Sequence, residues 1–395
     1  MRAGDTLRGY RLLEDFRVVG AGLSEWTFAE RGGRAYFIKR FLAPTYPDDA
    51  APGSAKTKAK KRARCAAFEA HHRGIQAAMA PLTSYGGNLI ATLDFFREGA
   101  KYYKVTEKVD VAGLEPSDVA ALDFPTQLVL LKTVAHSLKI LHDLNIVHSD
   151  LKPSNVLIKR TALGYTTKLI DFDSSYLVGN PPPPEEIVGT MNYYSPELVS
   201  YVQGSVGATD LTTSSDIFAL GLIYAEYLTG ALPAFDPAYH EAAIAVLNGA
   251  QLRLAPGHAP APIVALVEQM LLVDPAARPT VAEVHKTLMG LRSETPALSR
   301  VPLRTPRTGR APRRLRFPST PAEPGPAAAR AVAPRPATAD PAALPQPTPR
   351  GSALRGKGLR LVADAVRPAP DGPPPGRSRA LLGKLIDKLE ERRSR

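Results

Sequence analysis

The sequence contains a single cysteine, Cys65, among its 395 residues. One thiol cannot form an internal disulfide, which excludes a disulfide-stapled secreted fold and favours a reducing compartment. The chain also has no basic-then-apolar leader at its start, and its longest apolar run, Ile217–Ala225, is far shorter than the roughly 20 residues of a membrane span. From these absences we expect a cytoplasmic protein.

Aromatic residues and acidic charge are both scarce after Arg292. Residues 293–395 carry 21 basic and 8 acidic side chains, a net charge of +13, while residues 1–292 hold a net charge of −1. The same segment contains 19 of the 38 prolines. Such a composition cannot bury enough apolar surface to offset the entropy lost on ordering. We therefore expect a disordered, Pro/Arg-rich basic linker at 293–378.

The last residues of the chain have a different pattern. Apolar side chains recur there at helical spacing between charges, at Leu381, Leu382, Leu385, Ile386 and Leu389. The pattern predicts a short amphipathic helix at 379–395, marginal alone in water and suited to self-association or to docking on a partner. The basic tail also leaves open an acidic partner, nucleic acid or a membrane surface as its binding target.

The region from residue 10 to 109 has strand-like patterning. Short β-rich runs such as 35–41 and 102–106 fill most of it. One helix is predicted at 65–79, after a long basic connection at 47–64 that is typical of a solvated loop. From Thr126 onward the apolar residues recur mostly at helical spacing, with a few short strands. A small β-rich part therefore precedes a larger helical part.

Several motifs carry chemistry. Gly20 and Gly22 have the spacing of a backbone turn that can approach phosphate groups, and Lys39 follows them. By itself this pattern more often marks a simple hairpin. Far more specific is the stretch 148–155, which spells His-Ser-Asp-Leu-Lys-Pro-Ser-Asn and is followed by Asp-Phe-Asp at 171–173.

Three further motifs follow in order. They are Gly-Thr-Met-Asn-Tyr-Tyr-Ser-Pro-Glu at 189–197, Ser-Asp-Ile-Phe-Ala-Leu-Gly at 215–221 and Asp-Pro-Ala-Ala-Arg-Pro-Thr at 274–280. In this order and spacing the motifs resemble those of the protein kinase family, most closely its bacterial Ser/Thr members. The resemblance covers about residues 8–292. It implies a two-lobed α+β fold, with a β-rich N-lobe at 8–109 and a helical C-lobe at 110–292.

The resemblance also implies an activity, the transfer of the γ-phosphate of ATP to Ser or Thr hydroxyls of protein substrates with Mg²⁺ as cofactor. Lys39 would pair the α- and β-phosphates and be steadied by Glu69, the only acidic residue of the predicted helix. Asp150 would accept or orient the proton of the attacking hydroxyl, and Lys152 would neutralise charge on the γ-phosphate. These four are the predicted catalytic residues.

The predicted metal ligands are Asn155 and Asp171, whose hard oxygen atoms suit Mg²⁺. By the same resemblance Thr106 is the gatekeeper, and the backbone of the hinge that follows it would hydrogen-bond the purine edge. The residues assigned to the ATP site are Gly20, Gly22, Thr27, Phe37, Lys39, Thr106, Glu107, Val109 and Leu157. Structural roles are expected for Asp216, which would bond the catalytic-loop backbone, and for an ion pair between Glu197 and Arg278.

Four residues depart from the family pattern. Glu25 replaces the third glycine of the turn and would bring a carboxylate near the phosphates unless it points outward. Phe37 replaces an alanine and, by alternation along a strand, shares the face of Lys39, which would narrow the adenine pocket. Asp173 replaces a glycine that can adopt positive φ. Ser149 replaces the arginine that receives an activation-loop phosphate.

None of these departures removes a catalytic charge, so an active Ser/Thr kinase is the primary hypothesis. The alternative is a pseudokinase that acts as a nucleotide-binding scaffold or interaction module. The tethered tail is expected to be autophosphorylated at one or more of its threonines, Thr295, Thr305, Thr320 and Thr348. Because Ser149 cannot receive a phosphate as arginine does, activity is expected to be independent of activation-loop phosphorylation.

Overall fold

Seven antiparallel strands form one sheet in the N-lobe. The computed structural model describes residues 1–18, 24–48, 50, 52–81, 87–255, 257 and 259–291. The strands of the sheet are β1 Thr6–Leu7, β2 Tyr10–Leu12, β3 Arg17–Val18, β4 Ser24–Arg31, β5 Arg34–Phe41, β6 Asp94–Glu98 and β7 Lys101–Glu107. Their order is β1-β2-β4-β5-β7-β6, and β3 pairs with β4.

The two faces of this sheet have different tasks. Phe37 pairs with Thr106 and Lys39 pairs with Lys104, so these four side chains share what we call the cleft face. The opposite face, the core face, carries Ile38. It packs in a cluster with residues from β1, β2, β4, β6 and β7, namely Leu7, Tyr10, Leu12, Ala29, Phe96, Tyr103 and Val105. Burial of this apolar set on the core face fixes which residues of each strand lie on the cleft face.

Helix α1 spans Ala55–Met79 and covers one end of the cleft face. Its residue Cys65 is fully buried in a cluster with Phe41, Phe95 and Tyr102. The helix is ten residues longer than predicted, because Ser54 caps its N-terminus by accepting a hydrogen bond from the Thr57 amide. The following residues are strong helix formers, and the basic run predicted as a loop is therefore helical.

The C-lobe is mainly helical. Its helices are α2 Pro116–Ala120, α3 Phe124–Asp143, α4 Pro196–Val202, α5 Ser214–Thr229, α6 Ala242–Leu247, α7 Ala261–Met270 and α8 Val281–Gly290. Its short strands are β8 Ile146–Val147, β9 Val156–Thr161, β10 Gly164–Leu169 and β11 Tyr176–Leu177. Strand β9 pairs with β10, and β8 pairs with β11. The strands of these two ribbons flank the predicted catalytic motifs at 148–155 and 171–173.

The core of the C-lobe lies around α3 and α5. Helix α3 packs against α8 and β10, while α5 packs against α2 and α7. The apolar run Ile217–Ala225 belongs to α5, where every one of its residues is buried. Tyr224 joins the two central helices by donating a hydrogen bond to the Leu131 carbonyl at 2.7 Å. Within the described residues, no helix has both the length and the apolar character to cross a membrane.

Two groups of predictions fall outside the described residues. They are the glycine turn at Gly20 and Gly22, and all predictions after Leu291, including the linker at 293–378 and the helix at 379–395.

Candidate active site

The motif at 148–155 folds into a hydrogen-bonded cluster around Asp150. Lys152 Nζ contacts Asp150 Oδ2 at 2.8 Å and donates to Thr190 Oγ1 at 3.0 Å. Asn155 Nδ2 donates to the Asp150 carbonyl at 2.7 Å and to Asp150 Oδ2 at 3.1 Å. The Asp150 carboxylate is therefore held by an ammonium group and an amide, with its side chain 12% exposed.

The backbone joins this cluster to the segment of Asp171. The Ile170 amide donates to the Asn155 carbonyl at 3.0 Å, and the ring Nε2 of His148 lies 3.0 Å from the Ile170 carbonyl oxygen. Asp171 itself adopts a left-handed conformation, with φ 63° and ψ 65°. These contacts place both predicted metal ligands on segments that are bonded to each other.

Two buried carboxylates hold the surrounding loops. Asp216 accepts hydrogen bonds from the His148 amide at 2.7 Å and from the Ser149 amide at 2.9 Å, as the sequence predicts. Glu197 and Arg278 form the predicted ion pair, with two contacts of 2.8 and 2.9 Å. Two parallel contacts of this kind fix direction as well as distance, so both groups serve the shape of the C-lobe.

Lys39 lies in a compact cluster of four charged groups. Its Nζ contacts both oxygens of Asp171 at 3.0 Å and Asp173 Oδ2 at 2.6 Å. Lys104 contacts the same two residues, Asp171 at 3.2 Å and Asp173 at still closer range. The cluster therefore holds two positive and two negative side chains and is balanced in charge.

The electrostatics of this charge cluster follow from its burial. Burial raises the pKa of Asp173, but Lys104 and Lys39 outweigh that effect and hold it well below its usual range. Burial likewise lowers the pKa of Lys39, and Asp173 followed by Asp171 reverses the shift and raises it above its ordinary value. Lys39 and Asp173 are consequently both charged at neutral pH.

Glu69 does not contact Lys39, which corrects the sequence prediction. Its Oε1 accepts a hydrogen bond from Tyr102 at 2.7 Å, and its Oε2 contacts Arg73 one helical turn later at 3.3 Å. Glu69 thus joins α1 to β7 through Tyr102, and its second oxygen pairs with Arg73 on the surface of the same helix. The prediction rests on the family resemblance and on Glu69 being the only acidic residue of the predicted helix, and neither fixes the direction in which the Glu69 side chain points.

Lys104 belongs to the site although none of the motifs points to it. A usable signal exists, because Lys104 stands between Tyr103 and Val105 in a strand whose residues 102–105 are all buried. A lysine at such a position is rare unless a carboxylate compensates its charge. Asp173 is a further member of the site, and it adopts no positive φ within the 3₁₀ turn Phe172–Ser174, although the family motif has glycine at this position.

The cleft face carries an aromatic group where adenine binding is predicted. The Phe37 ring stacks on Trp26 with 5.6 Å between centroids and meets Phe28 at 6.2 Å. Phe37 does share the face of Lys39, as its alternation predicts. Lys108 lies over the Phe28 ring at 4.7 Å. A flat purine in this position would meet aromatic surface on the N-lobe side.

Thr27 is a second correction. It pairs with Ile38 and therefore lies on the core face, fully buried, with its hydroxyl donating to the Glu14 carbonyl at 2.7 Å. The side chain consequently cannot line a nucleotide site. Glu25 also points away from the cleft face, because it pairs across the strands with Arg40 and contacts its guanidinium. The Glu25 carboxylate therefore does not face the predicted phosphate site.

The remaining predicted nucleotide residues lie near the end of β7 and on β9. Thr106 is half-buried on the cleft face, and Val109 is half-buried just after the strand. Glu107 is exposed and contacts Lys168 of β10 at 3.1 Å. Leu157 is half-buried on β9, opposite the same lysine.

The donor set suits a divalent cation with hard oxygen ligands. Because Asn155 uses its Nδ2 to bond Asp150, its Oδ1 is the atom that remains for a metal. Both oxygens of Asp171 now contact lysine, so metal binding there requires Lys39 to release at least one of them. Phosphate oxygens offer that lysine an equivalent partner.

Two lobes joined through a lysine from the sheet, an Asp-Lys-Asn loop and the Asp171 turn define a protein kinase fold. A family model described as a protein kinase domain matches residues 56–288. The chain belongs to the protein kinase family, with a β-rich N-terminal part and a helical C-terminal part.

Individual protein kinases are similar to this chain over shorter stretches. The ovarian-specific serine/threonine-protein kinase Lok of Drosophila melanogaster is 35% identical over 156 residues, which is 38% of this chain and 31% of that protein. The serine/threonine-protein kinase pkn2 of Myxococcus xanthus is 37% identical over 115 residues, 28% of this chain and 13% of that protein. An Aurora kinase of Yarrowia lipolytica is 31% identical over 154 residues, 39% and 38% of the two chains. The aligned regions therefore span well under half of these relatives.

Proposed function

We propose that this protein transfers the γ-phosphate of Mg·ATP to Ser or Thr hydroxyls of protein substrates, in the cytoplasm and in a regulatory role. The observation that carries the proposal is the cluster in which Asp150 is bonded by Lys152 and Asn155, with Thr190 beside the lysine. Phosphoryl transfer asks a protein mainly for positioning and charge neutralisation. Both requirements are met by groups already bonded to one another.

Each residue in the proposal has one task. Asp150 accepts or orients the hydroxyl proton, and Lys152 neutralises charge on the transferred group. Lys39 binds the α- and β-phosphates. Asn155 and Asp171 hold Mg²⁺, which supplies charge neutralisation at the phosphates. The Ser/Thr preference rests on the Lys152–Thr190 contact of 3.0 Å and on the names of the relatives.

The test is a transfer assay with labelled ATP, Mg²⁺ and a mixed pool of Ser, Thr and Tyr peptides. We expect label on Ser and Thr, and a loss of about 100-fold or more in Asp150→Asn, which keeps the shape and removes the charge. Asp143→Asn, the same change on an exposed surface ion pair, serves as the matched control. Undiminished transfer by Asp150→Asn would contradict the assignment.

A pseudokinase is the second candidate. The observation that favours it is the aromatic group of Trp26, Phe28 and Phe37, because these rings narrow the predicted adenine pocket on the N-lobe side. Calorimetric titration of the full chain with Mg·ATP separates the two. Binding without any transferred label supports the pseudokinase. Transferred label that disappears in Asp150→Asn excludes it.

A further inference from the structure

Asp173 makes the closest carboxylate contact with Lys39, and it does so from the position where the family motif has glycine. The distance from Lys39 Nζ to Asp173 Oδ2 is 2.6 Å, against 3.0 Å to either oxygen of Asp171. Its side chain is 18% exposed and that of Lys39 17%. Water therefore screens this pair much less than it screens a surface pair.

Asp173 also joins the elements that must be aligned for phosphate binding. Its side chain contacts Lys39 on β5 and Lys104 on β7. Its backbone carbonyl oxygen lies 2.9 Å from the ring Nε2 of His71 on α1. Asp173 stands at the start of the activation segment, which runs from Asp173 to Thr190, and it thus links β5 and β7 to α1.

Helix α1 offers Lys39 no carboxylate of its own. Its only acidic residue, Glu69, is engaged by Tyr102 and Arg73. Besides His71, the buried ring of His72 approaches the charge cluster from the helix, with Nδ1 3.9 Å from the Asp173 carboxylate. Burial lowers the pKa of His72 to about 3, against the opposing effect of Asp173, so the ring is neutral and forms no ion pair.

We propose that Asp173 is the positioning residue for Lys39, in place of a helix carboxylate, and that Lys104 is the counter-charge that makes Asp173 tolerable beside the phosphates. The proposal rests on the proposed phosphotransfer function. The lysine that binds the α- and β-phosphates is thereby held from the activation segment rather than from the helix.

The charge balance explains why two unusual residues occur together. A lone carboxylate near three phosphate groups would repel them, and a lone lysine buried on β7 would lack a partner. When Lys39 turns to phosphate oxygens and Asp171 to the metal, the Asp173–Lys104 pair remains neutral. Asp173 can then still fix the orientation of Lys39 without adding net negative charge to the site.

The experiment compares three carboxylate-to-amide variants of the full chain, Asp173→Asn, Glu69→Gln and the surface control Asp143→Asn. The rate is measured at varied ATP with saturating peptide. For Asp173→Asn we expect kcat to fall about tenfold or more while the KM for ATP changes far less, because a misaligned lysine still attracts phosphate. The loss in Glu69→Gln should be smaller. Asp173→Glu, which restores the charge, should recover part of the lost kcat.

Two results would overturn the proposal. One is a loss in Glu69→Gln that equals or exceeds that in Asp173→Asn, which would return the role to the helix. The other is a rise of kcat in Asp173→Asn, which would make Asp173 a restraint that keeps Lys39 from the phosphates.

Folding and activity are controlled separately. Thermal unfolding is recorded for every variant, and if Asp173→Asn does not fold, the double variant Asp173→Asn/Lys104→Met replaces it, since it removes one charge of each sign. If the wild-type chain transfers no phosphate, the proposed function fails. The positioning role is then decided by Mg·ATP affinity alone: a small weakening in Asp173→Asn that is absent from Glu69→Gln supports it, and equal affinities in the two variants overturn it.

Discussion

Tyr102 on β7 donates a hydrogen bond of 2.7 Å to Glu69 on α1. The Tyr102 side chain is fully buried, and its ring lies 5.2 Å from that of Phe68 on the same helix. The contact joins α1 to the cleft face by one polar and one aromatic interaction. It also occupies the carboxylate that the sequence suggests for Lys39.

Tyr102→Phe is expected to lower the free energy of unfolding by about 1 kcal/mol, because it removes the hydroxyl of one buried hydrogen bond. Chemical denaturation measures the change. The matched control is Tyr103→Phe, whose hydroxyl makes a long contact of 3.8 Å with the Met1 sulfur and interacts with Arg40 rather than with a carboxylate of α1. Equal losses in the two variants would show that the Glu69 contact contributes nothing specific.

Glu197→Ala is expected to lower the free energy of unfolding by about 3–5 kcal/mol, because it leaves the guanidinium of Arg278 buried without its partner. The side chain of Arg278 is 0% exposed and that of Glu197 6%. Glu30→Ala breaks an exposed pair with Arg11 of the same 2.8 Å length and should cost less than about 1 kcal/mol. Urea denaturation of both variants gives the comparison, and similar costs would contradict the prediction.

Gly189→Ala is expected to lower the rate of phosphotransfer clearly while the melting temperature changes little. A Cβ there would lie 2.7 Å from Tyr194 Cε1 and 3.4 Å from Asp150 Oδ1, so the tyrosine must shift beside the Asp150 carboxylate, the proposed catalytic group. Gly74→Ala is the control, since a Cβ at this helical position meets nothing within 4 Å. It should stabilise the chain by about 0.5–1 kcal/mol. Transfer rates and melting curves of both variants provide the test, which fails if Gly189→Ala has the wild-type rate.

Activity is expected to be independent of phosphate on the activation loop. Ser175 is fully buried and donates to the His148 carbonyl, and Tyr176 is 2% exposed, so neither hydroxyl is accessible to a kinase. Ser174 donates to the Val188 carbonyl at 3.2 Å. Ser149, which replaces the phosphate-binding arginine, adopts φ 68° and is held through its amide by Asp216.

The measurement is the initial rate on an added peptide after phosphatase treatment and removal of the phosphatase. We expect the untreated rate, and the same rate in Ser174→Ala. A large loss that preincubation with ATP restores would identify the loop as a phosphate switch.

The sequence alone predicts the parts of this protein that depend on short separations. Asp150, Lys152 and Asn155 lie within six residues, and a motif of that length closes its own hydrogen bonds. The helical period after Thr126 likewise predicts α3, because burial of one stripe is a local consequence of the pattern. The two-lobed order follows from the shift between strand and helix periods.

Tertiary structure decided which side chains meet. Thr27 lies on the core face because strand pairing sets the register, and a shift of one residue moves a side chain to the other face. Lys39 contacts Asp173 rather than Glu69. Lys39 and Asp173 are 134 residues apart in the sequence, and only the packed fold brings them together. A buried charge pairs with whichever oppositely charged group the surrounding strands bring close to it. The distance between two such groups cannot be predicted from composition or from motif spacing.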